Sequence, residues 1–311
     1  MALKHLIYSQ DLDKTGYEEI FRRSKQFSDS GIPPQLCEGK VVATLFFQPS
    51  TRTMMAFQTA MLRAGGGWIG VTGEKGLSAE KGESFEDTIR TFGALSDIIA
   101  LRHPDDQAAE NAGKVSLVPV INGGSGSKEH AIGAAMMLFT WLNNLKRPLE
   151  GLKIGLYGTP QINRVTKALV PIMGMYGMHL VIDDLGHFPL PKEVETRAKQ
   201  NGLKELRYDK LDNFIRDVDV LVVTRGLQKG IIPEDKFPKE KAELILKSYK
   251  PITIQHMKKL RKDAVLSMIM PRIFEIDVAV DNDPRAIYAK KEPFVETCLA
   301  VMTYLLEIPV P

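Results

Sequence analysis

The most constraining feature of this chain is an alternation. Short apolar runs of strand length alternate with stretches of helical periodicity, and the series is written twice. Residues 41–47 read as a buried strand that stops at Gln48-Pro49. The next stretch carries Phe57, Ala60, Met61 and Ala64 at the i, i+3, i+4, i+7 spacing of a helix face. Residues 98–101 and 118–121 predict two further strands. Gly123-Gly124-Ser125-Gly126-Ser127 follows the second as a loop and leads into an apolar helix over 131–145. Residues 146–151, with Pro148 and Gly151, form a polar break. Beyond it strands are expected at 153–157, 179–182, 218–223 and 264–268. Helices are expected at 165–173, 191–200 and 292–306. Such an order predicts an α/β protein of two domains, 1–145 and 150–290, each with a parallel sheet flanked by helices.

Composition removes several classes of function. The 311 residues suffice for two domains, and 44% hydrophobic with 25% charged is the ordinary globular mix. Forty-one Lys and Arg against 38 Asp and Glu leave a net charge of +3, which argues against nucleic acid or an anionic membrane as partner. No apolar run approaches the roughly 20 residues of a membrane span. The N-terminus lacks the basic-then-apolar layout of a secretory signal. Cys37 and Cys298 cannot build a disulfide framework, and neither has metal-ligand spacing around it. A reducing cytoplasm is expected, with no metal and no organic cofactor.

Ligands of open α/β sheets bind beyond the carboxyl ends of the strands, so the residues after each strand are the candidates. After the first strand, Ser50-Thr51-Arg52-Thr53 brings three hydroxyls and a guanidinium to a helix N-terminus, which suits a phosphate; Ser50 or Thr51 as a plain helix cap suits the same residues. Arg102-His103-Pro104 follows the next strand, and His130 opens the apolar helix, as a cap or a core histidine if not as a catalyst. In the second half, Gly158-Thr159-Pro160-Gln161-Ile162-Asn163-Arg164 lacks the G-x-G-x-x-G of a dinucleotide turn. Arg164 and Arg225 hold equivalent post-strand positions. Two such forks suit a dicarboxylate, although spacing alone fits two separate surface arginines as well.

Together these segments resemble the aspartate/ornithine carbamoyltransferase family, its aspartate branch above all, over nearly the whole chain. The most specific parts are Phe46-Phe47-Gln48-Pro49-Ser50-Thr51-Arg52-Thr53 and Lys81-Gly82-Glu83-Ser84-Phe85-Glu86-Asp87-Thr88-Ile89-Arg90, with Leu101-Arg102-His103-Pro104, Thr224-Arg225 and Pro271-Arg272 beside them. The resemblance implies a carbamoyl phosphate domain completed by the C-terminal helix, an amino acid domain, and a homotrimer with shared active sites. Regulatory chains or a higher assembly are compatible with it. It implies carbamoyl phosphate contacts from Ser50, Thr51, Arg52, Thr53, Lys81, Arg102 and His130, and from the carbonyls of Ile269 and Met270. Catalysis falls to Arg52, Thr53, Arg102 and His130. L-Aspartate falls to Lys81, Arg164, Arg225 and Gln228.

Several positions depart from the family pattern. His-Pro-Thr-Gln is here His130-Ala131-Ile132-Gly133, so the amide-binding glutamine is absent. His-Pro-Leu-Pro-Arg is Met268-Ile269-Met270-Pro271-Arg272, the second arginine of the phosphate turn is Met54, and the acid after Gly158 is Thr159. The expected function is carbamoyl transfer to the amino group of L-aspartate, in pyrimidine synthesis. The alternatives are a carbamoyltransferase-fold enzyme with another amine acceptor or acyl phosphate, and an impaired homologue that binds partners or ligands.

Overall fold

The structure is a computed structural model that describes residues 4–73, 82–226, 239–289 and 292–310. The chain divides into two compact units, Met1–Phe139 with Pro293–Pro311, and Thr140–Glu292. The first contains α1 (Lys14–Ser30), β1 (Val41–Phe46), α2 (Thr51–Arg63), β2 (Gly67–Thr72), α3 (Phe85–Leu95), β3 (Ile98–His103), α4 (Ala108–Val115) and β4 (Val120–Ser125). Next comes α5 (Ala131–Leu145), along which the first unit gives way to the second. The second holds β5 (Lys153–Tyr157), α6 (Arg164–Met175), β6 (His179–Asp183), α7 (Lys192–Gln200), β7 (Glu205–Tyr208), α8 (Leu211–Phe214), β8 (Val220–Val223), α9 (Lys239–Ser248), α10 (Ile254–Lys259) and β9 (Val265–Met268). The last helix, α11 (Phe294–Leu305), belongs to the first unit and packs on α1 and α2.

Among the described residues the first sheet has the order β2-β1-β3-β4 and the second β7-β6-β5-β8-β9. Every strand pair is parallel. The central strands are mostly apolar because helices cover both faces of such sheets. Val42, Leu45, Ile98 and Ile99 are fully buried in the first unit, as are Ile154, Val220, Leu221 and Val222 in the second. Among the described residues no helix is long and apolar enough to cross a membrane.

One device recurs at the amino ends of both sheets. The Asp97 carboxylate, one residue before β3, accepts the N–H of Val41 that opens β1 at 2.8 Å, and the Asp97 N–H donates to the Val41 carbonyl at 2.9 Å. The Asp219 carboxylate, one residue before β8, accepts the Lys153 N–H that opens β5 at 2.7 Å, and its own N–H returns to the Lys153 carbonyl at 2.7 Å. Each aspartate also meets a cation, Lys40 for Asp97 and both Arg147 and Arg261 for Asp219.

Two strands of the first sheet extend past their expected ends, and β7 lies outside the expected set. The strand expected at 118–121 runs from Val120 to Ser125, so the glycines taken as a loop lie within β4. The strand expected at 98–101 continues through Arg102 and His103. The reason is a register shift: Leu101 pairs with Asn122 but His103 with Ser125, so β4 carries one extra residue opposite Arg102. Gly124 has φ +122°, and a Cβ on Gly123 would approach the Leu101 carbonyl oxygen to 3.0 Å. Only glycines let this bulge form. Strand β2 was not anticipated, since Gly67 and Gly70 break its apolar pattern. Gly70 is required because a Cβ there would collide with the hydroxyl of Thr44, which accepts from the Gln58 amide of α2 at 2.9 Å.

Burial alone would raise the Asp219 pKa, but the Lys153 N–H and the Arg147 and Arg261 guanidiniums outweigh it and hold the carboxyl below the usual range. A carboxylate with a folded pKa below its unfolded value stabilises the protein above about pH 4, and that stability is lost as pH falls through the folded pKa. Asp219→Asn should therefore destabilise the protein by about 2 kcal/mol at neutral pH, the scale of a hydrogen bond to a charged group. It should also flatten the fall in urea midpoint below pH 4. Equal acid limbs in wild type and variant would show that Asp219 does not carry this effect.

Candidate active site

The first unit gathers the anion-facing candidates at the carboxyl ends of β1, β3 and β4. Ser50 precedes α2 in an extended conformation, and its side chain makes no cap hydrogen bond. A plain capping role for Ser50 is therefore set aside. Its hydroxyl instead accepts from Arg102 Nη1 at 3.3 Å, and the same nitrogen lies 3.5 Å from the Gly123 carbonyl oxygen in the β4 bulge. Thr51 and Arg52 are exposed on the first turn of α2, while Thr53 is buried. The positive end of the helix dipole, two outward groups and the half-buried Arg102 thus share one end of the sheet. Such a set can hold a phosphate by charge-assisted hydrogen bonds.

His130 stands immediately before α5, where the structure buries its ring. Its Nδ1 accepts the Gly133 N–H at 3.3 Å. A neutral ring that accepts at Nδ1 carries its proton on Nε2, so Nε2 is a donor. The absent glutamine has a steric counterpart. A Cβ on Gly133 would lie 3.0 Å from His130 Cγ and Nδ1, so the ring occupies the space that a side chain at 133 would begin in. His103 is occupied otherwise, edge-on to Phe47 and Phe85 with Nδ1 accepting the Asp105 N–H.

The second unit places Arg164 and Arg225 after neighbouring strands, β5 and β8. Arg164 is buried as the first residue of α6, whose opening N–H groups are capped by the Asn163 side chain. Arg225 is half-buried, and its backbone is held on both sides. Thr159 Oγ1 donates to the Arg225 carbonyl at 2.6 Å, Tyr249 Oη donates to the Thr224 carbonyl at 2.5 Å, and Glu275 accepts the Gly226 N–H at 2.8 Å. The fully buried Glu275 also accepts from the N–H groups of Ile273 and Phe274, so one carboxylate ties the turn after β8 to the turn after β9. Sequence reading missed Thr159, Tyr249 and Glu275 as supports of Arg225. Thr159 and Glu275 adjoin the family motifs in sequence, and Tyr249 carries no such signal.

Ile269 and Met270 follow β9, with the Ile269 N–H donated to the Val223 carbonyl. Arg272 pairs with Asp281 through both of its terminal nitrogens and lies near the Tyr288 hydroxyl. Lys81 and Gln228 lie outside the described residues. Among the described residues no group of three or more His, Cys, Asp and Glu could hold a metal ion.

Comparison with known proteins sets this geometry in a family. The model of the aspartate/ornithine carbamoyltransferase carbamoyl-P binding domain matches residues 4–142. The aspartate carbamoyltransferase catalytic subunit of Methanocaldococcus jannaschii is 35% identical over 310 residues, covering 98% of each chain. That of Clostridium kluyveri is 33% identical over 314 residues, again covering 98% of each. Among solved structures, the M. jannaschii catalytic subunit in an orthorhombic crystal form aligns with a TM-score of 0.85 at 33% identity, over 98% of both chains. Aspartate transcarbamoylase from Trypanosoma cruzi in complex with carbamoyl phosphate aligns at 0.85 and 25% identity, over 99% of this chain and 96% of that one. With similarity running through both units, this chain belongs to the aspartate/ornithine carbamoyltransferase family.

Proposed function

We propose that this protein transfers the carbamoyl group of carbamoyl phosphate to the amino group of L-aspartate, giving N-carbamoyl-L-aspartate and phosphate, in pyrimidine synthesis. The observation that carries this reading is the turn before α2. The Ser50 hydroxyl faces Arg102 rather than capping its own helix, which leaves helix N–H groups for an anion. Ser50, Thr51, Arg52, Thr53 and Lys81 hold the phosphate group. Arg102 bridges phosphate and carbamoyl oxygens, and His130 Nε2–H donates to the carbonyl. Arg164 and Arg225 each take one carboxylate of aspartate, with Lys81 and Gln228 beside them. The carbonyls of Ile269 and Met270 accept from the carbamoyl NH₂.

The chemistry then needs no cofactor. The neutral amine lone pair forms the new N–C bond as the carbonyl electrons move onto oxygen. The oxyanion collapses, the C–O bond to phosphate breaks with its electron pair going to the phosphate, and the nitrogen passes its proton to that phosphate. Arg102, Arg52 and His130 act by positioning and by stabilising charge that develops at the oxygens.

A homotrimer with shared sites fits the exposed Trp68 on the uncharged edge strand β2 and the exposed Met55 and Leu62 on α2, apolar groups that a second copy would cover. Regulatory chains or a higher assembly fit the same reading, since the relatives are named catalytic subunits. Cys37 and Cys298, both buried and free, fit a cytoplasmic setting. A second reading, with another amine acceptor or another acyl phosphate, is favoured by Gly133, which supplies no amide to recognise the carbamoyl NH₂.

The deciding experiment is turnover of carbamoyl phosphate and L-aspartate with identification of the product by mass. Carbamoyl-aspartate is expected. A carbamoylated product only with another amine would favour the second reading, and phosphate binding with no turnover on any amine would mark an impaired homologue. Arg52→Ala should weaken calorimetric binding of inorganic phosphate by about a hundredfold, the scale of one charge-assisted contact. Unchanged binding would remove Arg52 from the phosphate site. Arg164→Ala or Arg225→Ala should raise the KM for aspartate by a similar factor while leaving phosphate binding intact. Mixing subunits inactivated at Lys81 with subunits inactivated at Arg52 should restore activity. If subunit exchange is demonstrated and activity stays absent, the sites are not shared.

A further inference from the structure

Arg164 and Arg225 belong to separate segments of the second unit, and one residue joins those segments directly. Thr159 is fully buried in the turn after β5. Its hydroxyl donates to the Arg225 carbonyl at 2.6 Å, and its N–H donates to the Thr224 hydroxyl at 2.6 Å. From Thr159 the chain passes through one 3₁₀ turn, Pro160–Ile162, to Asn163, which caps α6 beneath Arg164. There is little slack between this crosslink and Arg164. Gly158 closes the other side: its φ is +125°, and a Cβ there would crowd the Thr224 hydroxyl and meet the Tyr249 ring at 3.0 Å.

We propose that Thr159 is a positioning residue for the acceptor substrate, its hydroxyl fixing the spacing of the Arg164 and Arg225 guanidiniums. The proposal rests on the assignment of these arginines to the two carboxylates of aspartate. It assigns this position a chemistry opposite to that of the acid found there in the family pattern. An ionised carboxylate has no proton to give the Arg225 carbonyl, whereas a hydroxyl does. Tyr249 and Glu275 hold the flanking groups of Thr224 and Gly226 but come from segments that do not lead to Arg164, so neither can substitute for this link.

The test compares Thr159→Val, which keeps the shape and removes the donor, with Thr159→Ser, which keeps the donor. Thr159→Asp supplies the family's residue, and Thr159→Ala makes the same comparison should Thr159→Val not fold. In variants whose circular dichroism matches wild type, loss of the donor should raise the KM for aspartate about tenfold and leave the KM for carbamoyl phosphate within twofold. Thr159→Ser should stay near wild type and Thr159→Asp should behave like Thr159→Val. Calorimetric binding of succinate, which is aspartate without its amine, should weaken by the same factor in the presence of inorganic phosphate. A merely structural role would lower the active fraction without separating the two KM values. Unchanged aspartate KM in a folded donorless variant, or a Thr159→Ser enzyme as impaired as Thr159→Val, would overturn the proposal. A wild-type protein that turns over carbamoyl phosphate but not aspartate would overturn the acceptor assignment on which it rests, a distinct result.

Discussion

Parallel strands are joined by crossovers too long to fix which residue pairs with which, so register must be set by something else. The buried apolar pattern supplies part of it, and two carboxylates pin the β1–β3 and β5–β8 pairs. Asp97 and Asp219 each grip the first N–H of the adjacent strand and return their own N–H to its carbonyl. A slip of one residue would turn every side chain of the strand to the opposite face. The consequence reaches the other end of each sheet. With Val41 pinned by Asp97, Phe46 pairs with Arg102, and Phe47 donates to the Arg102 carbonyl at 2.8 Å. With Lys153 pinned by Asp219, Tyr157 pairs with Val223, and Thr224 falls where Thr159 can reach it. The alignment of residues at the carboxyl ends is thus tied to carboxylate–backbone hydrogen bonds one strand length away.

Parallel pairing also explains why the two sets of arginines can be discussed in the same terms. In each sheet the loops that follow the strands lie at one end, and each such end carries an arginine beside fixed backbone groups. Arg102 lies beside the Gly123 carbonyl and the Ser50 hydroxyl, and Arg225 sits on a peptide tied by three side chains. Fixed donors of this kind need little reorganisation to meet an anion.

What was legible in the sequence follows from how far each signal extends along the chain. Strands β1 and β5 are continuous apolar runs, and α5 is apolar over its whole length, so they could be read locally. Strand β2 could not, because its Gly70 answers to Thr44 on a neighbouring strand. The glycines of β4 read as a loop because the bulge they permit is defined only against Arg102. The same division holds for the site. Ser50, Arg52, Arg102 and Arg164 follow strands and carry side-chain chemistry, so position and residue type exposed them. Thr159, Tyr249 and Glu275 act on the backbone of a residue between 25 and 66 positions distant, and no local pattern encodes that.

The departures from the family pattern gain a physical sense from the same contacts. Gly133 and Thr159 stand where longer polar side chains are usual, and each interacts with a near neighbour instead. At 133 the exchange permits the His130 ring to lie over the glycine and accept its N–H. The ring is thereby held with its Nδ1 occupied, which leaves the proton of a neutral ring on Nε2. A donor held in that tautomer can polarise a carbonyl without help from a neighbouring amide. Under the proposed function, the missing glutamine takes away one acceptor for the carbamoyl NH₂, beside the Ile269 and Met270 carbonyls, and leaves the His130 ring in place, so selectivity is the property most exposed to the change.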